Sequence, residues 1–379
     1  MNNNENLEKL LSSVDTNINL ISMIFIFVIL LTIFIYIYQK VVLRQKNCTN
    51  ISKYWDENKK MDDTIKILPK KGDADFSGVF IDETDDGVEY ELRLRDFYIK
   101  TAHNCCCNGE FKNDYVDLCS LENCAKFGVR ALDFQIYSYK NNPVISASTV
   151  ENNQYKEMYN HLDFYETMDM IHKKFMLFDD SCPNPDDPLF LIFRIHSKNT
   201  VIYDNMADSL LTIFGEKLLS KQHSGFENAM NGNNLASVYL SYLRKKVVII
   251  VDKTRTMNFT SSKLYKHTNL CLGESMGHIY RASDLKHKPD ISNLRSNNKY
   301  NMCLLLPDKD KNRDNYDPTE IGFLNGVQFI AMNFQMKDEY LNVYNRIFTD
   351  ARYAFAKKQE ALRPTAYVFD PTSKTLMTG

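Results

Sequence analysis

The chain has 379 residues, 25 % of them charged, and its 46 basic and 48 acidic side chains leave a net charge of −2. That balance supplies no basic field for nucleic acid, which is excluded as a partner, while the length suffices for one large barrel or two smaller domains. Nine cysteines, with Cys105, Cys106 and Cys107 adjacent, follow no disulfide-framework spacing and are expected as free thiols in a reducing compartment.

Residues 1–19 form a polar tail. Leu20 to Tyr38 follows as LISMIFIFVILLTIFIYIY, without a charge. At about 1.5 Å per residue this stretch spans roughly 28 Å, the thickness of a bilayer's hydrocarbon core. A single transmembrane helix over 20–38 is therefore predicted, with the membrane as its partner. A cleavable signal peptide fits less well, because the tail is not basic and no small-residue cleavage site follows. Tyr36 and Tyr38 stand where an aromatic belt lies, and Lys40, Arg44 and Lys46 come next, whereas the tail carries Glu5, Glu8 and Asp15 against Lys9. The charge bias places the large C-terminal domain on the cytosolic side. Sequons at Asn47, Asn50 and Asn258 pull weakly the other way, in a chain rich in Asn.

Residues 39–75 read as a linker, polar and irregular from residue 47, and 76–379 as the folded domain. Within it, short apolar runs alternate with helical patterns. Strands are predicted at Asp96–Thr101, Val129–Tyr137, Val144–Ser148, Leu189–Ile195, Val247–Val251, Cys303–Leu306, Val327–Asn333 and Ala366–Phe369. Helices are predicted at Tyr165–Phe178, Asn205–Leu219, Leu235–Arg244 and Lys337–Leu362. Eight strands alternating with helices predict a TIM-type (β/α)8 barrel, with a doubly wound open sheet as the alternative. Barrel chemistry sits at the C-terminal strand ends, which here carry His103, Asn104, Asp133, Gln135, Ser146 to Ser148, Arg194, His196, Lys253, Leu304 to Pro307 and Gln335. The cysteine set at 105–107, 119 and 124 lacks CxxC spacing, so packing is favoured over zinc.

Five segments in order carry a family resemblance: IKTAHNCCC (99–107), KFGVRALDFQIYSYKNNPVIS (126–146), DPLFLIFRIHS (187–197), LRKKVVIIVDK (243–253) and LLLPDKDKNRDNYDPTEIGFLNGVQFIAMNFQ (304–335). Across about residues 93 to 371 the chain resembles the phosphatidylinositol-specific phospholipase C family. The resemblance implies a TIM-type barrel that cleaves a phosphodiester with two histidines and a Ca²⁺ ion. His103 matches the first histidine. The second falls at Ala147, which transfers no proton. Of the calcium ligands, Asn104 is retained and Asp133 stands for a Glu, but Gln135 replaces an Asp and Arg194 replaces a Glu. A guanidinium there puts a positive charge where the ion would sit, so the calcium site is predicted lost and no cofactor is expected. The substrate-binding Arg and Tyr fall at Leu304 and Leu306. One of the two phosphate-binding lysines matches Lys253, and the other falls at Val251.

The first reading is thus a degenerate, non-catalytic barrel used as a structural or interaction module, with protein partners in an assembly and Arg194 paired with Asp133. A second reading keeps a divergent, calcium-independent phosphodiesterase, with Arg194 and Lys253 binding substrate and His196 joining His103 in catalysis. The resemblance allows this, since bacterial relatives place an Arg near the metal position. A third is a phospholipid-headgroup binder without turnover. The residue bias of an AT-rich genome, joined to an anchor and a degenerate barrel, points to a large DNA virus and to the virion's inner membrane.

Overall fold

The structure, a computed structural model, describes residues 2–62, 65–85, 87–150, 155–178, 182–220, 234–256, 258–288, 290–309 and 314–365. The chain divides into two compact units, Met1–Asn50 and Ile51–Gly379. The first unit lies within α1 (Asn2–Asp62), and residues 17–39 of it are exposed throughout. Among the described residues this is the one helix long and apolar enough to cross a membrane. Its one mid-span hydroxyl, on Thr32, donates to the Val28 carbonyl one turn back (2.6 Å), so no polar side chain there demands water.

The second unit begins in the last turns of α1. Ile51 and Tyr54, three residues apart, share one face and are buried, while Lys53, Asp56 and Glu57 are exposed. Tyr54 stacks on Phe127 at 5.7 Å and donates through Oη to Asn342 Oδ1 (2.8 Å). The expected irregular linker is therefore helical to Asp62, and its end is part of the folded domain. A two-residue apolar stripe in a strongly polar run was too short to register as periodicity.

After α1 come α2 (Phe76–Phe80) and the hairpin β1 (Ile81–Glu83) and β2 (Glu89–Glu91). Then follow β3 (Phe97–Ala102), α3 (Leu118–Lys126), β4 (Ala131–Tyr139), β5 (Asn142–Ser146), β6 (Leu162–Asp163) and α4 (Phe164–Phe175). The middle of the domain holds β7 (Leu189–Ile195), α5 (Val201–Phe214), β8 (Val247–Asp252), α6 (Lys263–His267), β9 (Leu270–Leu272) and β10 (Gly277–Arg281). The remainder is α7 (Ala282–Lys286), α8 (Ile291–Tyr300), β11 (Met302–Leu306), α9 (Pro318–Ile321), β12 (Phe329–Met332), α10 (Glu339–Ala351) and β13 (Phe355–Lys357).

Strands pair in the order β10-β11-β12-β3-β4-β7-β8-β9, every pairing parallel, which makes a nearly closed TIM-type barrel. One core fills the interior, with Ile99, Ala131, Ile192, Ile250, Leu304 and Phe329. A second lies outside, where Leu132, Phe193, Val251 and Leu305 meet the helices. Strands buried on both faces explain the unbroken apolar runs. Because side chains alternate, the inward positions beyond Ala131, Ile192 and Ile250 are Asp133, Arg194 and Asp252. The interior turns polar at its C-terminal end.

Further expectations are corrected. The third strand, β5, folds back antiparallel onto β4 instead of continuing the parallel ring. Between β8 and β11, where the sequence reading has no strand, lie β9 and β10 on either side of a tight turn. Gly273 there has φ +87, and a Cβ on Gly277 would lie 2.5 Å from the Cys271 carbonyl oxygen; these glycines break the apolar run that would mark a strand. Leu235–Arg244 forms two 3-10 turns, Leu235–Ser237 and Leu240–Leu243. The long C-terminal helix stops at Ala351, where Arg352 takes a left-handed conformation (φ 64), and the apolar residues beyond join β3 as β13. The strand expected at Ala366–Phe369 lies outside the described residues. Seven cysteines are buried free thiols, as expected, but Cys48 and Cys119 are not free.

Candidate functional site

At the mouth, the backbone amide of His103 donates to the Met332 carbonyl (2.8 Å), which holds the residue at the end of β3. Asn104 turns the chain with φ 39, a left-handed conformation that asparagine tolerates better than most side chains. The turn aims its amide N–H at Asp133 Oδ2 (3.1 Å). From β7, Arg194 meets Asp133 with two parallel bonds, Nε to Oδ1 and Nη2 to Oδ2, both 2.7 Å, and Nη2 also donates to Asn104 Oδ1 (2.7 Å). His103 Nδ1 lies 2.7 Å from Asp133 Oδ2, and its Nε2 lies 3.1 Å from Asn104 Nδ2. The arrangement assigns the proton to Nδ1, with Nε2 accepting from the asparagine amide.

The electrostatics follow from this geometry. Burial pushes the His103 pKa down to about 4 against the pull of Asp133, so the imidazole is neutral at neutral pH. Burial alone would raise the Asp133 carboxyl, but the Arg194 guanidinium and His103 hold it well below the usual carboxylate range. Burial likewise opposes the Arg194 charge, and Asp133 more than offsets it. The result is a buried, fully charged Arg–Asp pair with a neutral histidine attached.

The other predicted residues sit around this pair. Gln135 is held by its neighbours: Oε1 accepts from Ser148 N (2.9 Å) and Tyr137 Oη (2.7 Å), and Nε2 donates to the Ser148 carbonyl (3.3 Å). Ala147 is buried just beyond β5. His196 is buried with its ring stacked on Tyr137 at 5.4 Å. Lys253 lies at the rim in an ion pair with Glu274, which raises its pKa. Leu304 and Leu306 are interior core residues of β11. Gln335 Nε2 reaches the Gly109 carbonyl (3.4 Å).

Two charged residues escaped the sequence reading. Asp252 is buried in register with Arg194 and accepts from Thr254 N and Oγ1 (3.0 and 2.5 Å). Arg281 ends β10 opposite Leu306, and its Nη1 donates to the Pro307 carbonyl (2.6 Å). Asp252 could have been found by extending strand alternation one residue. Arg281 required the strand that was missed.

Calcium binds through six to eight oxygens, several of them charged. Here both Asp133 oxygens and Asn104 Oδ1 already face Arg194, and Gln135 Oε1 is used twice. The residues present do not fit the ion, because the protein's own cation occupies their centre.

No family model matches the chain, and no curated protein matches it in sequence. Among solved structures it is similar to PLC21 of S. officinalis, at 17% identity and a TM-score of 0.57, and to PLC21 of L. pealei, at 18% and 0.57. Each match covers 76% of this chain and 40% of the other, so the chain spans about two fifths of those proteins' length. It also matches a calcium-dependent phosphoinositol-specific phospholipase C from a Gram-negative Pseudomonas, at 10% identity and a TM-score of 0.43, over 74% of this chain and 99% of that one. At these identities the likeness is one of fold: a barrel like that of the phosphatidylinositol-specific phospholipases C.

Proposed function

We propose that this chain is a membrane-anchored barrel of phospholipase C-like fold that does not hydrolyse phosphodiesters and serves as a structural or interaction module. The carrying observation is the Arg194 clamp: three bonds of 2.7 Å spend the guanidinium on Asp133 and Asn104. Phosphodiester cleavage needs one group to take a proton and another to give one. His103 has Nδ1 against the Asp133 carboxylate and Nε2 against the Asn104 amide, and Ala147 stands where the resemblance asks for the second histidine. The exposed apolar stretch Leu20–Tyr38 supports anchoring, and Lys40, Arg44 and Lys46 support a cytosolic barrel.

The test uses the full chain in detergent micelles with phosphatidylinositol and its phosphorylated forms. No inositol phosphate is expected with or without Ca²⁺, and Ca²⁺ is expected to leave Tm unchanged, since a bound ion in excess of its Kd would raise it. Turnover that disappears in His103→Ala overturns the reading in favour of a divergent, calcium-independent enzyme. Saturable binding of phosphoinositide vesicles without turnover, lost in Arg281→Ala, would replace the structural role with headgroup binding.

A further inference from the structure

The central residues of the mouth are nearly sealed from solvent: His103 is 3% exposed, Asn104 4%, Arg194 2% and Asp133 0%. Strand ends alone do not achieve this; loops must cover them. The loop after β3 sets Phe111 edge-on against His103, with ring centres 5.5 Å apart. Residues 155–160, the second half of the loop between β5 and β6, then bind both this loop and the first residues of their own loop, at the end of β5. Toward the first, Asn113 N donates to the Glu157 carbonyl (3.0 Å) and Tyr159 N to the Asp114 carbonyl (2.9 Å). Asn160 exchanges two bonds with the Val116 backbone (2.9 and 2.8 Å). Toward the second, Glu157 N donates to the Ala147 carbonyl (3.0 Å) and Ser146 Oγ to the Asn160 carbonyl (3.0 Å).

The Glu157 carboxylate joins the two sides. Its Oε1 meets Lys112 Nζ at 2.8 Å, while Oε2 accepts from Thr149 N (2.8 Å), Thr149 Oγ1 (2.6 Å) and Ser148 Oγ (3.0 Å). Met158, beside it, is buried in the outer core. We propose that residues 155–160 are a clasp closing the barrel mouth, with Glu157 as its latch, so that neither a phosphate headgroup nor an ion reaches Arg194 and Asp133 while it is shut. The clasp concerns access to the mouth and rests on the proposed function only in taking this mouth as the site. Without the carboxylate, the segment keeps its backbone bonds and Met158, but the charged link between the two loops is gone. Charge-assisted bonds are the stronger ones, so their loss is expected to shift the clasp toward open.

The experiment measures access by carbethoxylation of histidines in the full chain in detergent, read by mass spectrometry. Neutral imidazole is the reactive form, and exposed His287 is the internal standard. In the native chain His103 is expected to react at least tenfold more slowly than His287. Glu157→Gln, which keeps the shape and loses the charge, is expected to speed His103 tenfold or more at temperatures well below its Tm. Lys112→Met, which removes the other half of the ion pair, is expected to act in the same direction and serves if Glu157→Gln does not fold. Equal rates at His103 and His287 in the native chain overturn the clasp. So does an unchanged His103 rate in the folded variant, or one that rises only with global unfolding. Turnover of phosphoinositide by Glu157→Gln would overturn the non-hydrolytic reading and leave the clasp standing.

Discussion

Asp133, at 0% exposure, gathers two bonds from Arg194, one from the Asn104 amide and the contact of His103. Such a pair stabilises only while complete, because removing one partner strands the other charge at a cost of about 3–5 kcal/mol. Arg194→Met is expected to lower the unfolding free energy by about that much, and Asp133→Asn in the same chain to recover part of it. Coupling near zero in the double-mutant cycle would mean that Arg194 is available for a phosphate. His103 supplies a second test. Its pKa is about 4 in the folded chain against an ordinary value near 6.5, so between those values the unfolded chain binds more protons. Stability contributed by the neutral ring is therefore complete above about pH 6.5 and lost as pH falls toward 4, a change of about 3 kcal/mol. Asp187 works in the opposite sense over part of this window, because burial raises its carboxyl to about 6. The informative quantity is thus native minus His103→Gln in denaturant titrations at pH 7 and pH 4.5, where Asp187 cancels. The native chain should lose more stability on acidification than the variant; equal losses would show that the ring is not held neutral by the fold.

At the scale of elements, what was legible follows from burial on two faces. β7 was predicted at Leu189–Ile195 and lies there, since seven consecutive buried residues leave little freedom in its bounds. Alternation then carried the site, because Arg194 pairs in register with Gln135, and Asp133 shares the inward face two residues earlier on the same strand. The order of motifs supplied His103 and Asn104, which periodicity would not single out. Elements defined by long-range contact were not legible. β13 exists because β4 pairs with β3 only at Thr101 and Ala102 and leaves Phe97–Ile99 to it, and the end of α1 because α3 and α10 leave room for Ile51 and Tyr54; neither has a local signature. Arg281 was hidden for the same reason, since a five-residue strand with glycine at its start reads as a loop.

For the whole molecule, the consequence is that anchor and fold are separable near residue 50 but not near residue 62. A chain of residues 47–379 keeps Ile51 and Tyr54, whereas one of residues 63–379 loses both buried side chains, each worth about 1.5–3 kcal/mol of apolar burial, and with them the Tyr54–Asn342 bond. The full chain is expected to remain with bilayers through a carbonate wash, because a spanning helix is not released by breaking electrostatic contacts. The 47–379 chain should appear in the soluble fraction as a cooperatively folding domain. The 63–379 chain should also be soluble, but with a Tm lower by several degrees, since about 1 kcal/mol shifts a domain larger than 150 residues by roughly 2–4 °C. Tyr54→Ala in the 47–379 chain should move Tm in the same direction and by less. Equal melting temperatures for the two truncations would return residues 51–62 to the status of a linker. Pelleting of the 47–379 chain with membranes after the wash would place a second membrane-binding element in the barrel itself.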